Sequence, residues 1–387
     1  MYKKIVVTAF CLFLLFHKGL IAQEQDFNPI LTSMPSLQIA PDARGGGMGD
    51  IGVATMPDVY SQHWNAAKYP FVTSKGGLAF SYTPWLSNIV SDINMLYASG
   101  FWKFGNNNFN ALSASIRYFS LGDVEIADPA GEFWQSVSPH EFALDLAYSR
   151  RLTQTFSGAV ALRYIRADYS TGGDEITAGN AFAADIAGYN ESYLYIGHSE
   201  ALLGLGFNLS NIGTKISYDG GETTMFLPAN MRLGTSLGYP INQMNTITLS
   251  VDINKLMVPT PELAGEDETY EEMFDRSERY NNISSIGGIF QSFGDANGGF
   301  KEELQEIMWS FGLEYVYNNQ FSLRTGYFHE NEFKGNRRYM AFGAGFRTNA
   351  FQIDAAYLVS TAQSNPLDQT LRLSLGFDIE GLRSLLD

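Results

Sequence analysis

Side chains able to do acid–base or metal chemistry are few and scattered along this chain. Beyond residue 22 the histidines are His63, His140, His198 and His329. No pair has the His-x-x-x-His spacing that would set two imidazoles on one helix face for zinc. Neither a strand-to-helix nucleophile elbow nor a phosphate-cradling loop is expected. The single cysteine, Cys11, lies in the first 22 residues, so the rest of the chain has no thiol for nucleophilic, disulfide or metal chemistry. A serine brought beside a histidine by folding is the one hydrolytic arrangement left open. The expectation is a protein that is not an enzyme, with no catalytic residue, cofactor or metal.

Binding chemistry is better represented. The stretch 254–306 carries eight acidic residues and two arginines between Glu262 and Arg279. Tyr270, Met273 and Phe274 lie among them, and Met273, Phe274 and Ser277 share one stripe at helical spacing, so a short surface helix is predicted. Further on, Ile286, Ile289, Phe290 and Phe293 sit among Gly and Ser, before a second helical stretch from Phe300 to Ile307. A loop of this length is uncommon unless it has work to do. Two readings stand side by side. The apolar set is the small core of a cap, or its exposed members (candidates Tyr270, Met273, Phe274, Ile289, Phe290 and Phe293) dock a partner protein while the acidic face limits non-specific adhesion.

The elements that would position this loop follow from export and from alternation. Lys3 and Lys4 precede the apolar run Ile5–Phe16, too short to span a bilayer, and Ala22 precedes Gln23; residues 1–22 read as a signal peptide cleaved after Ala22. Loss of Lys3, Lys4 and Lys18 takes the formal charge from −16 to −19. That balance argues against nucleic acid as a partner. Charged residues make up only 17% of the chain and aromatics 14%. A soluble domain carries about a quarter charged residues, so an exported chain with this composition points to a transmembrane barrel.

Neighbouring residues of a strand face opposite sides of a sheet. Leu371, Leu373, Leu375 and Phe377 alternate with Arg372, Ser374, Gly376 and Asp378, and 142–149, 247–253 and 351–359 repeat the pattern. Strands are predicted at 76–84, 92–103, 109–121, 140–151, 155–169, 179–190, 201–210, 229–239, 245–253, 307–317, 321–330, 337–347, 350–360 and 370–379. Short connections alternate with long ones (122–139, 211–228, 254–306), as in outer-membrane barrels with short periplasmic turns. The predicted class is all-β: a transmembrane antiparallel barrel of about 14 strands in the bacterial outer membrane, embedded in its lipid, with both termini periplasmic. Arg117, Asp145, Arg163, Arg232, Asp252, Glu314, Arg324, Arg347, Asp354 and Arg372 would face inward and chiefly pair with one another or with a plug. Trp85, Trp102, Tyr118, Tyr169, Tyr239 and Trp309 would form the interfacial girdle.

Before the first strand, 23–75 is both Gly-rich and apolar, which suits a plug inside the barrel. The domain reading is therefore 1–22 signal peptide, 23–75 plug and 76–387 barrel. Ala40-Pro-Asp-Ala-Arg-Gly-Gly-Gly-Met-Gly49, Trp64-Asn65-Ala66-Ala67 and Asn208-Leu-Ser-Asn-Ile-Gly213 carry a resemblance to FadL-like outer-membrane barrels. In the Trp64 element Ala66 stands where that family has proline. Within that superfamily the whole span resembles the PorV-like shuttle barrels of type IX secretion. The resemblance implies a plug motif of Arg44, Gly45, Gly46, Gly47, Gly49, Trp64 and Asn65. It also implies partners: the type IX translocon barrel, the C-terminal signal domains of secreted cargo, and a sortase-like attachment complex. The competing function is a FadL-like transporter of hydrophobic small molecules; a passive porin is disfavoured by the plug.

Overall fold

A computed structural model describes residues 27–85, 92–127, 133–170, 176–265, 268–362 and 368–386. The strands are β1 Gly76–Pro84, β2 Ile93–Phe104, β3 Asn110–Leu121, β4 Val124–Ala127, β5 Phe133–Val137, β6 His140–Arg151, β7 Phe156–Asp168, β8 Gly179–Ile196, β9 Ser199–Gly213, β10 Asn230–Pro240, β11 Asn245–Leu256, β12 Met308–Tyr317, β13 Phe321–His329, β14 Arg338–Arg347, β15 Phe351–Ser360 and β16 Leu371–Asp378. Fourteen of them form a closed antiparallel barrel, each paired with its barrel neighbours in sequence and β1 with β16. Gly77 opposite Asp378 and Tyr82 opposite Leu373 close the ring. Closure removes every edge that lipid would leave unpaired.

All fourteen predicted strands are present. The side-chain alternation is the predicted one: Leu146, Leu162 and Phe182 project outward at 61%, 66% and 64% exposure, while Asp145, Arg163 and Asp185 beside them are buried inside. Trp102, Tyr118 and Trp309 are exposed on the outer face. Trp85 and Tyr169 are not part of that girdle. Trp85 continues the inward parity of Thr83 and packs edge-on to Phe119, 6.4 Å between centroids. Tyr169 continues the parity of Arg163 and Ala167, and its hydroxyl donates to Glu141 (2.6 Å) inside the mouth.

One feature of the long-loop connections, one of the turns and one of the strand pairing were not foreseen. The connection between β3 and β6 folds its own hairpin, β4–β5, outside the barrel. Strands β8 and β9 run on to a two-residue turn at Gly197–His198, well past the last rungs shared with β7 and β10, so their tips form a free hairpin. Within that pair the register shifts between Ala184 and Ile186. Asn211, at φ 59°, fills the bulge by donating its backbone N–H to Asp185 (2.8 Å). The Asn208–Gly213 element, the last six residues of β9, therefore holds this bulge.

The chain enters the barrel from the long-loop end. The backbone N–H of Asn28 donates to Phe333 in the β13–β14 loop (2.9 Å), and that of Ser33 donates to Phe226 in the β9–β10 loop (2.9 Å). By Lys75 the chain has reached the short-turn end, where its carbonyl accepts from Lys103 (2.7 Å). The short helix Ile379–Leu386 also lies at that end. The two described ends of the chain are thus at opposite ends of the barrel. The segment before β1 is long enough to traverse the lumen once; the N-terminus, and with it the expected signal peptide at residues 1–22, lies outside the described residues.

Leu146 lies mid-strand on the outer face. Leu146→Arg is expected to lower folding stability in vesicles by about 2–4 kcal/mol, the cost of an arginine at bilayer midplane depth. Urea-dependent refolding into phospholipid vesicles would measure it, and an unchanged midpoint would refute a lipid-facing position.

Candidate functional site in the barrel interior and its cap

The lumen is occupied by the segment from Asn28 to Ser74, most of it buried. Its Gly-rich turn is held from both sides. Asp42 caps the short helix Ala43–Gly46, accepting from the Gly45 N–H (2.8 Å), and its other oxygen accepts from the Trp64 indole (2.5 Å). Gly49 has φ +80°, and any Cβ there would press on the Tyr327 backbone at 2.8 Å. The wall answers with glycine of its own, since a Cβ on Gly326 would overlap the Met48 carbonyl. Asn65 spends its amide on the carbonyls of Val53 (3.0 Å) and Gly188 (2.9 Å), and its oxygen accepts from Ala67 N–H (3.0 Å). The motif residues Arg44, Gly45, Gly46, Gly47, Gly49, Trp64 and Asn65 are therefore brought together where segment meets wall. Sequence reasoning missed Asp42, Asp50, Asp58 and Lys68, whose signal was charge inside an otherwise apolar stretch.

The interior charges form linked pairs. Arg44 bridges Asp58 (2.5 Å) and Glu314 (3.1 Å). Glu314 also receives Arg324 (2.7 Å), which reaches Asp354 (2.6 Å). Arg163 joins Asp145 (2.5 Å) to Asp185 (3.0 Å), and Arg372 meets Asp50 (2.5 Å). The predicted mutual pairing holds for these groups. It does not hold for Arg347, which shares the inward parity but is exposed at the short-turn rim, nor for Arg232, which has no carboxylate within ion-pair distance among the described residues, nor for Arg117, which donates to the Ser36 and Ile39 carbonyls and His63, nor for Asp252, which accepts from the Gly52 and Val53 amides.

Two cavities flank the segment. The one toward the short turns, 630 Å³, has a mixed lining and touches Arg44, Thr248, Gln320, Arg347 and Asp378. The one toward the long loops, 260 Å³, is mostly apolar and touches Ile39, Trp64, Trp85, Phe119, Arg232 and Phe328.

Over the long-loop end, 257–307 folds into a cap. Thr269 and Glu272 make a reciprocal capping box at the start of the helix Tyr270–Asn282. Helices Ser285–Gln291 and Phe300–Gln305 follow. Phe226, Met257 and Val258 are the cap's buried core, with Ile30, Tyr280, Ile283 and Ile289 packed against it. Two lysines of the barrel mouth pin the cap: Lys255 to Glu303 (3.1 Å) and Glu306, and Lys334 to Glu302 (2.5 Å) and Glu306 (2.9 Å).

A family model described as type IX secretion system protein PorV matches residues 22–263, more than half of the 387 residues. The chain belongs to the PorV family. It is accordingly an outer-membrane β-barrel component of type IX secretion. No curated protein matches it. Among solved structures it is similar to the Pseudomonas putida toluene transporter TodX (10% identity, TM-score 0.49, 91% of this chain and 99% of that chain). It is also similar to the Ralstonia pickettii toluene transporter TbuX (11%, 0.44, 87% and 96%). A Pseudomonas aeruginosa FadL homologue stands at the same level (11%, 0.44, 91% and 99%).

In this PorV-family barrel two of the histidines have hydrogen-bond partners. Arg117 donates to His63 Nδ1 (3.0 Å), which forces the imidazole proton onto Nε2. His140 contacts the Ser138 carbonyl (3.1 Å), and no serine hydroxyl is hydrogen-bonded to a histidine among the described residues. Gly234-Thr-Ser-Leu-Gly238 matches a nucleophile elbow in letters only. It lies within β10, and Ser236 accepts a hydrogen bond from Ser250 (2.9 Å). Among the docking candidates, Tyr270, Met273, Phe274, Phe290 and Phe293 are exposed on the cap. Ile289 is not; it packs into the cap core. Phe300 and Leu304 are exposed as well and were not among the candidates.

Arg44→Ala leaves Glu314 and Asp58 buried around a missing cation. A loss of about 3–5 kcal/mol is expected, with 27–75 newly open to protease; unchanged melting and digestion would refute the linkage. A second expectation concerns pH. Burial pushes Asp295 up to about 6, with Glu306 and Glu303 adding to it. Its Oδ1 is buried without a partner. A carboxylate raised on folding supports the cap fully below the ordinary carboxylate range, and that support is lost as pH rises through about 6. Asp295→Asn is expected to slow proteolysis of 257–307 at pH 7.5 and to leave it unchanged at pH 4. Equal digestion at both pH values would count against this.

Proposed function

We propose that this barrel binds secreted cargo by the cargo's C-terminal signal domain at the type IX translocon barrel and delivers it to the sortase-like surface attachment complex. The observation that carries the reading is the cap. A family of protein secretion needs a protein-sized surface, and the cap offers Tyr270, Phe274, Phe290 and Phe300 at 80%, 60%, 76% and 78% exposure on a framework fixed by its own core and lysine pins. Aromatic anchors on a rigid base are what interface hot spots require. The acidic helix around them disfavours indiscriminate adhesion.

In this reading the short turns are periplasmic, the cap faces the cell exterior, residues 1–22 are a cleaved signal peptide, and 23–75 acts as a plug. Pairing of the interior charges and the filling of the lumen favour a shuttle over a passive porin. The cavity beside Trp85 favours keeping the second reading, a transporter of hydrophobic molecules, as the alternative.

Deletion of the protein is expected to leave type IX cargo unprocessed and unanchored. Phe274→Asp with Phe290→Asp is expected to cut recovery of cargo signal domains in pull-downs by about thirtyfold, two exposed anchors of roughly 1 kcal/mol each being lost. Full recovery by the double variant would remove the cap from the cargo path, and normal display in the deletion would reject the function.

A further inference from the structure

We infer that the free edge of β8, at the tip of the β8–β9 hairpin, receives an extended apolar segment of a partner polypeptide as an added strand. The hairpin leaves the barrel at its short-turn end. Asn190 pairs with Phe156, the first residue of β7, and Leu202 pairs with Gly238 near the end of β10. Leu194, Tyr195 and Ile196 pair with Ala201, Glu200 and Ser199 beyond both neighbours, and Gly197, at φ 63°, opens the turn. Asn190 to Ile196 spans about 20 Å of strand.

The backbone register sets what can bind there. The Glu191 N–H donates to the Thr155 carbonyl (2.8 Å), the last bond on that side to the β6–β7 turn. Backbone groups alternate sides along a strand, so those of Tyr193 and Tyr195 point the same way, away from β9, where no strand lies among the described residues. On the other side of the hairpin β10 continues through Tyr239 and closes with Pro240, which has no N–H to offer. The β8 edge carries none of the devices that keep an edge unpaired: Tyr193-Leu194-Tyr195-Ile196 has no lysine, proline or bulge. Tyr193 and Tyr195 share one face, Leu194 and Ile196 the other, and all four are exposed, Tyr195 by 81%. An added strand here meets apolar side chains on both faces, so it is itself apolar on both faces and about five residues long. Lipid fits less well, because Asn190 and Ser192 separate Leu194 from Ile186 on the outer face. A second copy also fits less well. Two upright barrels would bring their β8 edges together in parallel about a two-fold axis, with identical residues level, whereas a parallel ladder needs a one-residue stagger. The inference does not depend on the cap docking cargo.

The full barrel, purified in a non-ionic detergent, would be titrated by fluorescence anisotropy with a labelled peptide. The peptide has a Val-Tyr-Val-Ile-Val core flanked by lysines, and its counterpart is N-methylated throughout that core. The unmodified peptide is expected to bind at least about tenfold tighter, since N-methylation removes the ladder donors. Tyr193→Pro with Tyr195→Pro takes both donors from the β8 edge while sparing the bonds to β9, and should abolish the preference. Leu152→Asp, exposed beside the neighbouring β6–β7 turn, should leave it unchanged. Heat-modifiable migration, which reports a closed barrel, should be the same in every variant. Equal binding of the two peptides, no binding, or wild-type binding by the double-proline variant overturns the proposal. A barrel opened by the two prolines would mark the tip as structural and also overturn it. A dimer in sedimentation that the prolines abolish would assign the edge to a second copy. A blue shift of Tyr195→Trp emission on reconstitution into phospholipid vesicles would assign the tip to lipid. Either result overturns the proposal as well.

Discussion

A charge enclosed by the barrel needs an opposite charge or polar groups to replace water, and much of the interior is arranged around that requirement. Arg44 comes from the lumen segment, Glu314 and Arg324 from neighbouring strands, and Asp354 from a strand beyond; the four form one continuous run of ion pairs. Arg372 with Asp50 and Asp252 with the Gly52 and Val53 amides repeat the arrangement elsewhere on the wall. Such pairs add little net stability over apolar filling, but breaking one strands a charge. Their effect is therefore on register: each pair fixes where along the lumen the segment must sit.

The same requirement explains the glycines. A charged side chain can bridge segment and wall at hydrogen-bond distance only if the two backbones come close. Gly49 and Gly326 allow that approach where Met48 and Tyr327 meet. Ion pairs and bare backbone are two halves of one contact, which is why Arg44 and its glycines are adjacent in the sequence.

Alternation made the barrel legible, because bilayer outside and polar lumen inside impose a period of two on every strand. The same parity, followed one step past the strand ends, would have turned Trp85 and Tyr169 inward; the girdle expectation for them rested on residue type alone. The Gly-rich motif marked the right residues, but its direction of travel was not legible. Asn28 and Ser33 are tied to Phe333 and Phe226, far away in sequence, by backbone groups that carry no side-chain signature. The extension of β8 and β9 was hidden for a related reason: Tyr193, Leu194, Tyr195 and Ile196 are apolar on both faces, so no alternation marks their pairing. Arg232 was legible as an inward cation, but whether it had a partner depended on distances across the lumen.

Cap and lumen segment are one mechanical unit. Ile30 packs against the cap core of Phe226, Met257 and Val258, and also against the mouth cluster of Leu256, Met308, Phe328 and Tyr339. The Asn28 side chain donates to Pro261 in the cap (3.1 Å). A cap of three short helices could not bury enough apolar area to hold itself. It takes the missing area from the segment beneath it and from the barrel rim. The long loop is thus ordered by a part of the chain that precedes the first strand, and the underside of the exposed aromatic surface rests on Asn28 and Ile30.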